Sequence, residues 1–412
     1  MKYGCIGEHL KHSFSKEIHA ALANYAYDIT EIPRGELDRF MTERNFLGIN
    51  VTIPYKEAVI PHLHYIDDAA KSIGAVNTVV NRGGLLYGYN TDFYGMKKLI
   101  AHAGIDLGGK KVAILGTGGT SKTATAVAES LGSREILRVS RSKKDGAITY
   151  GELYSLHTDA EIIINTTPSG MYPNTRDVPV ELDKFCSLTG VIDAIYNPLR
   201  SRLITEAKKR GIPSDGGLYM LVAQAVRASE IFTDKEYPES EIERVYKCIL
   251  SCKENIVLIG MPASGKSTVG RLLSEMTGRR LIDTDTMIEE SAELSIPKIF
   301  ERYGEGHFRL LEREAIESAG ALTSVIIATG GGAVLKEENV DLLRQNGRLF
   351  FIDRPPQNLI PTTDRPLAND RTAIEKRYKE RYPIYRAVCD VRIDADCDPQ
   401  EVAETIIGET DK

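Results

Sequence analysis

The chain has 412 residues, 42% of them hydrophobic and 27% charged, an ordinary globular balance with enough length for two or three hydrophobic cores. Its formal net charge of −6 is built from interspersed charges of both signs, which argues against nucleic acid or an anionic membrane surface as a partner. No apolar run approaches the ~18 residues of a spanning helix and the N-terminus lacks a signal-type apolar core, so a cytoplasmic location is expected. From the N-terminus, the first polar residues in loop-like settings are HSFS (Ser13, Ser15), NVTIPYK (Asn50, Thr52, Lys56), GAVNT (Asn77) and YNTD (Asn90, Asp92). Taken singly, each is most simply a surface group.

Next comes KVAILGTGGTSKTATAVAESLG, which reads as a buried strand, the loop Gly116-x-Gly118-Gly119 and a helix. Glycines there let the backbone approach a pyrophosphate, and the free amides and dipole of the helix supply positive potential. The third glycine position of a GxGxxG loop holds Ser121, and a plain strand-to-helix turn is the alternative. The following strand, REILRVS, ends in Ser140, Arg141, Ser142, Lys143 and Lys144. An NAD site offers an acidic residue at that point, whereas cations fit a 2′-phosphate, so NADP is preferred. With a hydride donor in place, reduction of a carbonyl also needs a proton donor at the nascent alkoxide. Lys56 is the candidate amine, and Asp92 the carboxylate that positions it.

These residues together resemble shikimate dehydrogenases over about residues 1–232. HSFSKEIH, GINVTIPYKEA, GAVNTVV, GYNTDFYG, GTGGTSKT, INTTPSGM, DAIYNPLRSRL and GLYMLVAQA occur in the family's order. The resemblance implies that Ser13, Ser15, Thr52, Asn77, Asp92, Tyr196 and Gln224 hold shikimate, with Lys56 and Asp92 catalytic. It implies that Gly116, Gly118, Gly119, Ser140, Arg141, Ser142, Thr167 and Gly217 hold NADP. Three positions depart from the family. Its Asn-Arg-Thr reads Ser140-Arg141-Ser142, and a glycine near the nicotinamide is Tyr219. The paired serines Ser13 and Ser15 suit shikimate over quinate.

The polar stretch Thr233 to Asn255 reads as the end of one domain, a short helix and a junction, with the boundary near Cys252. The strand NIVLIG then leads into GMPASGKST, which satisfies GxxxxGK[ST] with Gly260, Gly265, Lys266 and Ser267. Such a loop cradles nucleoside triphosphate phosphates, with the lysine on the β/γ region and the serine on Mg²⁺. LIDTDTMIEE places Asp283 and Asp285 two apart, on one side of an extended chain, one for the metal and one for an acceptor hydroxyl. Capping of the next helix is the simpler role for both. Farther on stand Arg309, the triple glycine Gly330 to Gly332, Arg365 and Arg381, guanidinium and bare backbone suited to an acceptor with one acid and several hydroxyls.

This second set resembles shikimate kinases over about residues 254–412. The resemblance implies that Gly260, Ala263, Ser264, Gly265, Lys266, Ser267, Thr268 and Arg365 hold ATP, and that Ser267 and Asp283 hold the metal. Asp285, Arg309, Gly330, Gly331, Gly332 and Arg381 would hold shikimate, with Asp285, Lys266 and Arg365 catalytic. The segment RPPQNLIPTTDRPL before the family's lid is short and lacks an arginine that many relatives carry near the adenine.

The six cysteines, Cys5, Cys186, Cys248, Cys252, Cys389 and Cys397, show no zinc spacing and are expected to be reduced thiols. The expected architecture is α/β throughout. A two-lobed dehydrogenase occupies 1–252, its substrate lobe about 1–98 plus 215–250 and its Rossmann-type NADP lobe about 99–214. A P-loop kinase with a parallel sheet occupies 253–412. The expected function is NADPH-dependent reduction of 3-dehydroshikimate followed by Mg-ATP-dependent phosphorylation of shikimate at its 3-hydroxyl. Cofactors are then NADP(H), ATP and Mg²⁺; the partners are small-molecule substrates, without nucleic acid or membrane, and a homodimer is left open. The rival is a quinate/shikimate dehydrogenase using NAD, fused to a nucleotide-binding regulatory module.

Overall fold

The computed structural model describes residues 1–10, 14–23, 25–144, 146–359 and 371–410, the side chains of 371–373 excepted. The chain forms two compact units, Met1–Ile249 and Leu250–Lys412, divided within the helix Ser240–Lys253.

The first unit holds two six-stranded sheets. One runs in the order Tyr27–Glu31, Tyr3–Gly7, Gly48–Val51, Thr78–Arg82, Leu85–Tyr89, Tyr65–Ile66. It is mixed: Thr78–Arg82 lies antiparallel to both of its neighbours. The pairing of Arg82 with Leu85 leaves a two-residue turn, Gly83-Gly84, with φ of 61° and 87°. Positive φ at both positions is what a hairpin twisted with its strands requires, and glycine adopts it without a Cβ clash. Apolar clusters cover both faces, one around Ile6, Ile49, Val79 and Leu86, the other around Cys5, Tyr27, Val80 and Phe232 of the helix Leu218–Thr233.

The other sheet runs Ser214–Asp215, Gly190–Asp193, Ile162–Asn165, Lys111–Leu115, Glu135–Ser140, Ile148–Thr149, all parallel. KVAIL, IIIN and GVID are buried along their whole length because helices cover both faces. Each fully buried Val, Ile or Leu there stabilises the fold by roughly 1.5–3 kcal/mol relative to exposure. The chain starts in the middle with Lys111–Leu115 and builds outward in both directions, so the loops after that strand and after Ile162–Asn165 diverge and leave a place for a ligand at the carboxyl ends.

The second unit is built on a five-stranded parallel sheet, Leu281–Asp283, Ile326–Ala328, Asn255–Ile259, Gly347–Asp353, Val391–Asp394, with apolar clusters on both faces. Its longest helix, Ile296–Gly320, is two helices joined at Gly304, whose φ of 77° and ψ of 173° break the helical path. Among the described residues no helix is long and apolar enough to cross a membrane.

Candidate active sites

In the first sheet's lobe, the predicted residues converge on the start of one helix. Asn90 caps the helix Thr91–His102 by accepting from Phe93 N at 3.1 Å, and its own amide donates to Ala75 O at 2.8 Å. The first turn carries Asp92, a position where the helix dipole favours a carboxylate. Lys56 Nζ lies 2.6 Å from Asp92 Oδ2, with the two side chains 22% and 16% exposed, sheltered yet reachable. Buried Asn77 accepts through Oδ1 from Thr91 N at 2.7 Å, and Thr91 Oγ1 reaches Gln224 Oε1 at 3.3 Å. Thr52 sits at the end of a strand whose Val51 N donates to Asn77 O at 2.8 Å, and Thr52 O accepts from Tyr55 N at 2.9 Å in the turn that delivers Lys56. The ring of Phe14, next to Ser15, packs edge-on against Tyr196 at 5.4 Å. Burial pushes the Tyr196 phenol up, and it pushes the Cys5 thiol up to about 12, so that the thiol is an inert neutral neighbour. Ser13 lies outside the described residues.

The glycine loop closes in a way its spacing did not reveal. Ser121 Oγ donates to Gly116 O at 2.7 Å, so the serine in the third glycine position locks the turn from within. Gly116 has a φ of 111°, and a Cβ there would stand 2.8 Å from Thr166 Oγ1. Gly118 and Gly119, by contrast, have nothing within 4 Å of where a Cβ would be, leaving the amides at the start of the helix Gly119–Ser130 open to a ligand. This bare cradle fits a pyrophosphate. Thr167 is held by buried Asn165, whose Oδ1 accepts from Thr167 N at 3.0 Å and Oγ1 at 2.7 Å. Ser140 ends its strand, Arg141 is exposed just beyond it, and Ser142 N donates to Ser140 Oγ at 3.4 Å. Lys143 is drawn to Glu152 at 3.2 Å, while the guanidinium of Arg141 stays exposed at that turn.

Gly217 starts the helix Leu218–Thr233, and a Cβ on it would collide with the Ala194 carbonyl. Its lack of a side chain is therefore used in packing the helix start against the chain just before Tyr196. Two residues on, the Tyr219 ring stacks on His102 at 3.9 Å and meets Tyr246 edge-on at 5.1 Å. His102 ends the helix that Asp92 begins, about 15 Å farther along its axis by helical rise. The Tyr219 side chain thus points away from the Lys56–Asp92 pair.

In the second unit, Gly260 carries a φ of 149° and Ala263 a φ of 64° in the loop before the helix Lys266–Thr277. Lys266, 6% exposed, spans the loop by donating to Gly260 O at 3.0 Å and Met261 O at 2.7 Å. Ser264 and Gly265 complete the turn, and Thr268 follows Ser267 in the first helical turn. Ser267 Oγ donates to Asp283 Oδ2 at 2.9 Å. The expectation that Asp283 and Asp285 share one side of an extended chain is corrected. The strand ends at Asp283, which caps the helix Thr284–Ala292 by accepting from Asp285 N at 3.0 Å, so Asp285 falls in the first helical turn. Asp283 both caps and meets Ser267.

Each glycine of the triple is backed by a different group. A Cβ on Gly330 would stand 2.6 Å from Asp285 Oδ1, one on Gly331 2.7 Å from Pro262 of the phosphate loop, and one on Gly332 2.5 Å from Arg309 Nη1. Arg381 Nη1 donates to Gly331 O at 3.0 Å. Asp285, Arg309, Arg381 and the three glycines are therefore gathered at one place; Arg365 lies outside the described residues. Glu312, not singled out from the sequence, belongs with them. It is buried and bound to Arg309 at 2.8 Å, and its i+3 spacing from Arg309 on a helix was the available signal. Burial raises the Glu312 carboxyl, with Arg309 opposing and Asp285 adding to the rise.

Residues 5–79 match the family model of the shikimate dehydrogenase substrate binding domain, and residues 262–411 match that of shikimate kinase. The shikimate dehydrogenase (NADP(+)) of Clostridium perfringens strain SM101 is 37% identical over 263 residues, 60% of this chain and 97% of that protein. The chain belongs to the shikimate dehydrogenase family. It carries a shikimate kinase domain behind the dehydrogenase. Shikimate dehydrogenase 1 from Peptoclostridium difficile, at 36% identity, matches the structure with a TM-score of 0.56 over 60% of this chain and 98% of its own. The Thermus thermophilus enzyme, solved in complex with NADP(H) and shikimate, is 27% identical with a TM-score of 0.55 over 60% of this chain and 99% of its own. Both halves are enzymes of shikimate chemistry, one using NADP and the other ATP.

Proposed function

We propose that the chain carries out two consecutive reactions on one oxygen, reducing 3-dehydroshikimate to shikimate and then phosphorylating the 3-hydroxyl so formed. The observation that carries this is the 2.6 Å Lys56–Asp92 pair at a helix start in a unit that also presents an open glycine cradle. Bound NADPH supplies the hydride. Lys56 donates the proton to the developing alkoxide, and Asp92 holds the ammonium in line. Asn77, Gln224, Thr52, Ser13, Ser15 and Tyr196 orient the ring by its hydroxyls and acid. Arg141 reads the 2′-phosphate; Gly116, Gly118, Gly119, Ser140, Ser142, Thr167 and Gly217 shape the rest of the cofactor seat.

In the kinase half, Lys266 turns from its loop carbonyls to the transferred phosphate, and Asp285 takes the proton of the attacking hydroxyl. Arg309 and Arg381 bind the carboxylate of shikimate, and Arg365 neutralises the phosphates. The oxygen donors Ser267 and Asp283 lie 2.9 Å apart, a pairing that suits Mg²⁺, which keeps waters and takes one or two protein oxygens beside substrate phosphates. Bound Mg²⁺ supplies charge neutralisation at the phosphates.

Two assays test this. The purified chain with 3-dehydroshikimate and NADPH, and separately with shikimate and Mg-ATP, is expected to yield NADP and ADP respectively; failure to form ADP at micromolar enzyme would sink the kinase assignment. Arg141→Ala is expected to raise KM for NADP roughly tenfold or more while leaving NAD little changed, since the charged contact it removes exists only with the 2′-phosphate. Equal effects on both cofactors, or a higher kcat/KM for quinate with NAD, would reject the NADP-shikimate assignment.

A further inference from the structure

One arginine beside the phosphate loop takes no part in the sites above. Arg354 follows the strand Gly347–Asp353, and this strand end backs the loop directly: a Cβ on Gly260 would stand 2.7 Å from Ile352 O. Arg354 Nη1 lies 3.9 Å from where a Cβ on Gly265 would be, so its guanidinium faces the residue that opens the helix Lys266–Thr277. Its Nε is sealed from solvent and meets no acceptor. The adjacent carboxylate, Asp353, is already engaged by Arg392 Nε at 2.7 Å and the Tyr378 hydroxyl at 3.0 Å. In the same loop Ser264, only 2% exposed, also has a hydroxyl without a partner.

Buried donors are nearly always matched, and a guanidinium cannot discharge itself by losing a proton. Two unmatched donor side chains at one loop, one of them a permanent cation, call for a ligand that is anionic and rich in acceptor oxygens. We propose that Arg354 is a phosphate-binding residue of the kinase nucleotide site, meeting the phosphate chain of ATP from the strand-end side while Lys266 meets it from within the loop. The proposal rests on ATP occupying this loop.

Binding of Mg-ADP to the full chain, measured by titration calorimetry, tests it on Arg354→Ala and Arg354→Lys. The alanine variant is expected to raise Kd for ADP and KM for ATP about tenfold or more, with KM for shikimate unchanged. The lysine variant is expected to recover most of the loss, because charge is what the site lacks. An unchanged melting temperature of the second unit's transition certifies that each variant is folded. The proposal is overturned if the alanine variant binds ADP within twofold of the unaltered chain, or if lysine recovers nothing. An unaltered chain that binds no ADP would instead overturn the nucleotide assignment beneath it, and this proposal with it.

Discussion

Asp193 is wholly buried, and three donors meet its carboxyl: Asn165 Nδ2 at 3.0 Å, Ile195 N at 3.0 Å and Ser201 Oγ at 2.5 Å. Through Asn165 it steadies Thr167 on the cofactor side, and through Ile195 the turn that presents Tyr196. Burial pushes this carboxyl up to about 7, against the pull of its donors, while burial holds the equally enclosed His19 imidazole down at about 3. The raised carboxyl contributes stability that is present below its unfolded value of 3.8 and is lost as pH rises through about 7. The depressed imidazole contributes stability that is present above 6.5 and is lost as pH falls toward about 3. Between these limits the two slopes oppose each other. Asp193→Asn, which can still accept from Ile195 N, removes one of them. Its unfolding free energy from urea titration is expected to fall more steeply on acidification from about pH 6.5 to 4.5, by up to about 2 kcal/mol relative to the unaltered chain. Equal slopes in the two proteins would show that Asp193 is already ionised in the fold. Lys56, Asp92 and Lys266 stand out in the sequence because the chemistry proposed for them demands one side-chain type at one place. Asp193 and Asn165 act through other residues, and nothing in their spacing alone sets them apart from ordinary polar groups; Glu312 left only its i+3 spacing from Arg309 as a signal.

At the scale of elements, the helices Thr91–His102 and Leu218–Thr233 join the two lobes of the first unit; their contact depends on one missing side chain, at Gly95, and the seating of the second helix's start on another, at Gly217. A Cβ on Gly95 would stand 2.6 Å from the Met220 carbonyl, and one on Gly217 would strike the Ala194 carbonyl. Backbone cannot swing aside as a side-chain tip can. Gly95→Ala is expected to cost about 1–3 kcal/mol through overpacking and to shift the helix that carries Asp92, lowering dehydrogenase activity while phosphorylation of shikimate is retained. A variant with unchanged denaturation midpoint and dehydrogenase rate would show that the helices part without cost. The buried parallel strands were readable as unbroken apolar runs. The mixed sheet was not, because GINV and LLYGY are short and each carries a glycine, and the antiparallel pair of Thr78–Arg82 with Leu85–Tyr89 is set by the Gly83-Gly84 turn. The turn at Asp283 was missed for a related reason: a capping side chain ended the strand where spacing alone suggested that it continued. Tyr219, a departure when read against relatives, finds its cause in the ring stack with His102.

Across the whole molecule, each unit has its own sheet or sheets, with apolar clusters on both faces, and its own gathered set of polar residues. Neither set borrows a described residue from the other unit, so the two chemistries should fail separately. Lys56→Ala removes the proposed proton donor and leaves every residue of the second unit in place; a loss of about 10²–10⁴ in dehydrogenase kcat is expected, with the rate of ADP formation from shikimate unchanged. Asp285→Asn is expected to do the reverse, because an amide cannot serve in the base role proposed for Asp285, while the dehydrogenase keeps its rate. Under the proposed function the product of the first unit is the acceptor of the second, so an equimolar mixture of the two variants should convert 3-dehydroshikimate to the phosphate ester by way of free shikimate. Following NADPH consumption and ADP formation together in that mixture checks all three statements. Loss of both activities in either variant would show that the units depend on one another, and the failure of the mixture despite two intact half-reactions would show that shikimate released by one chain does not reach the other.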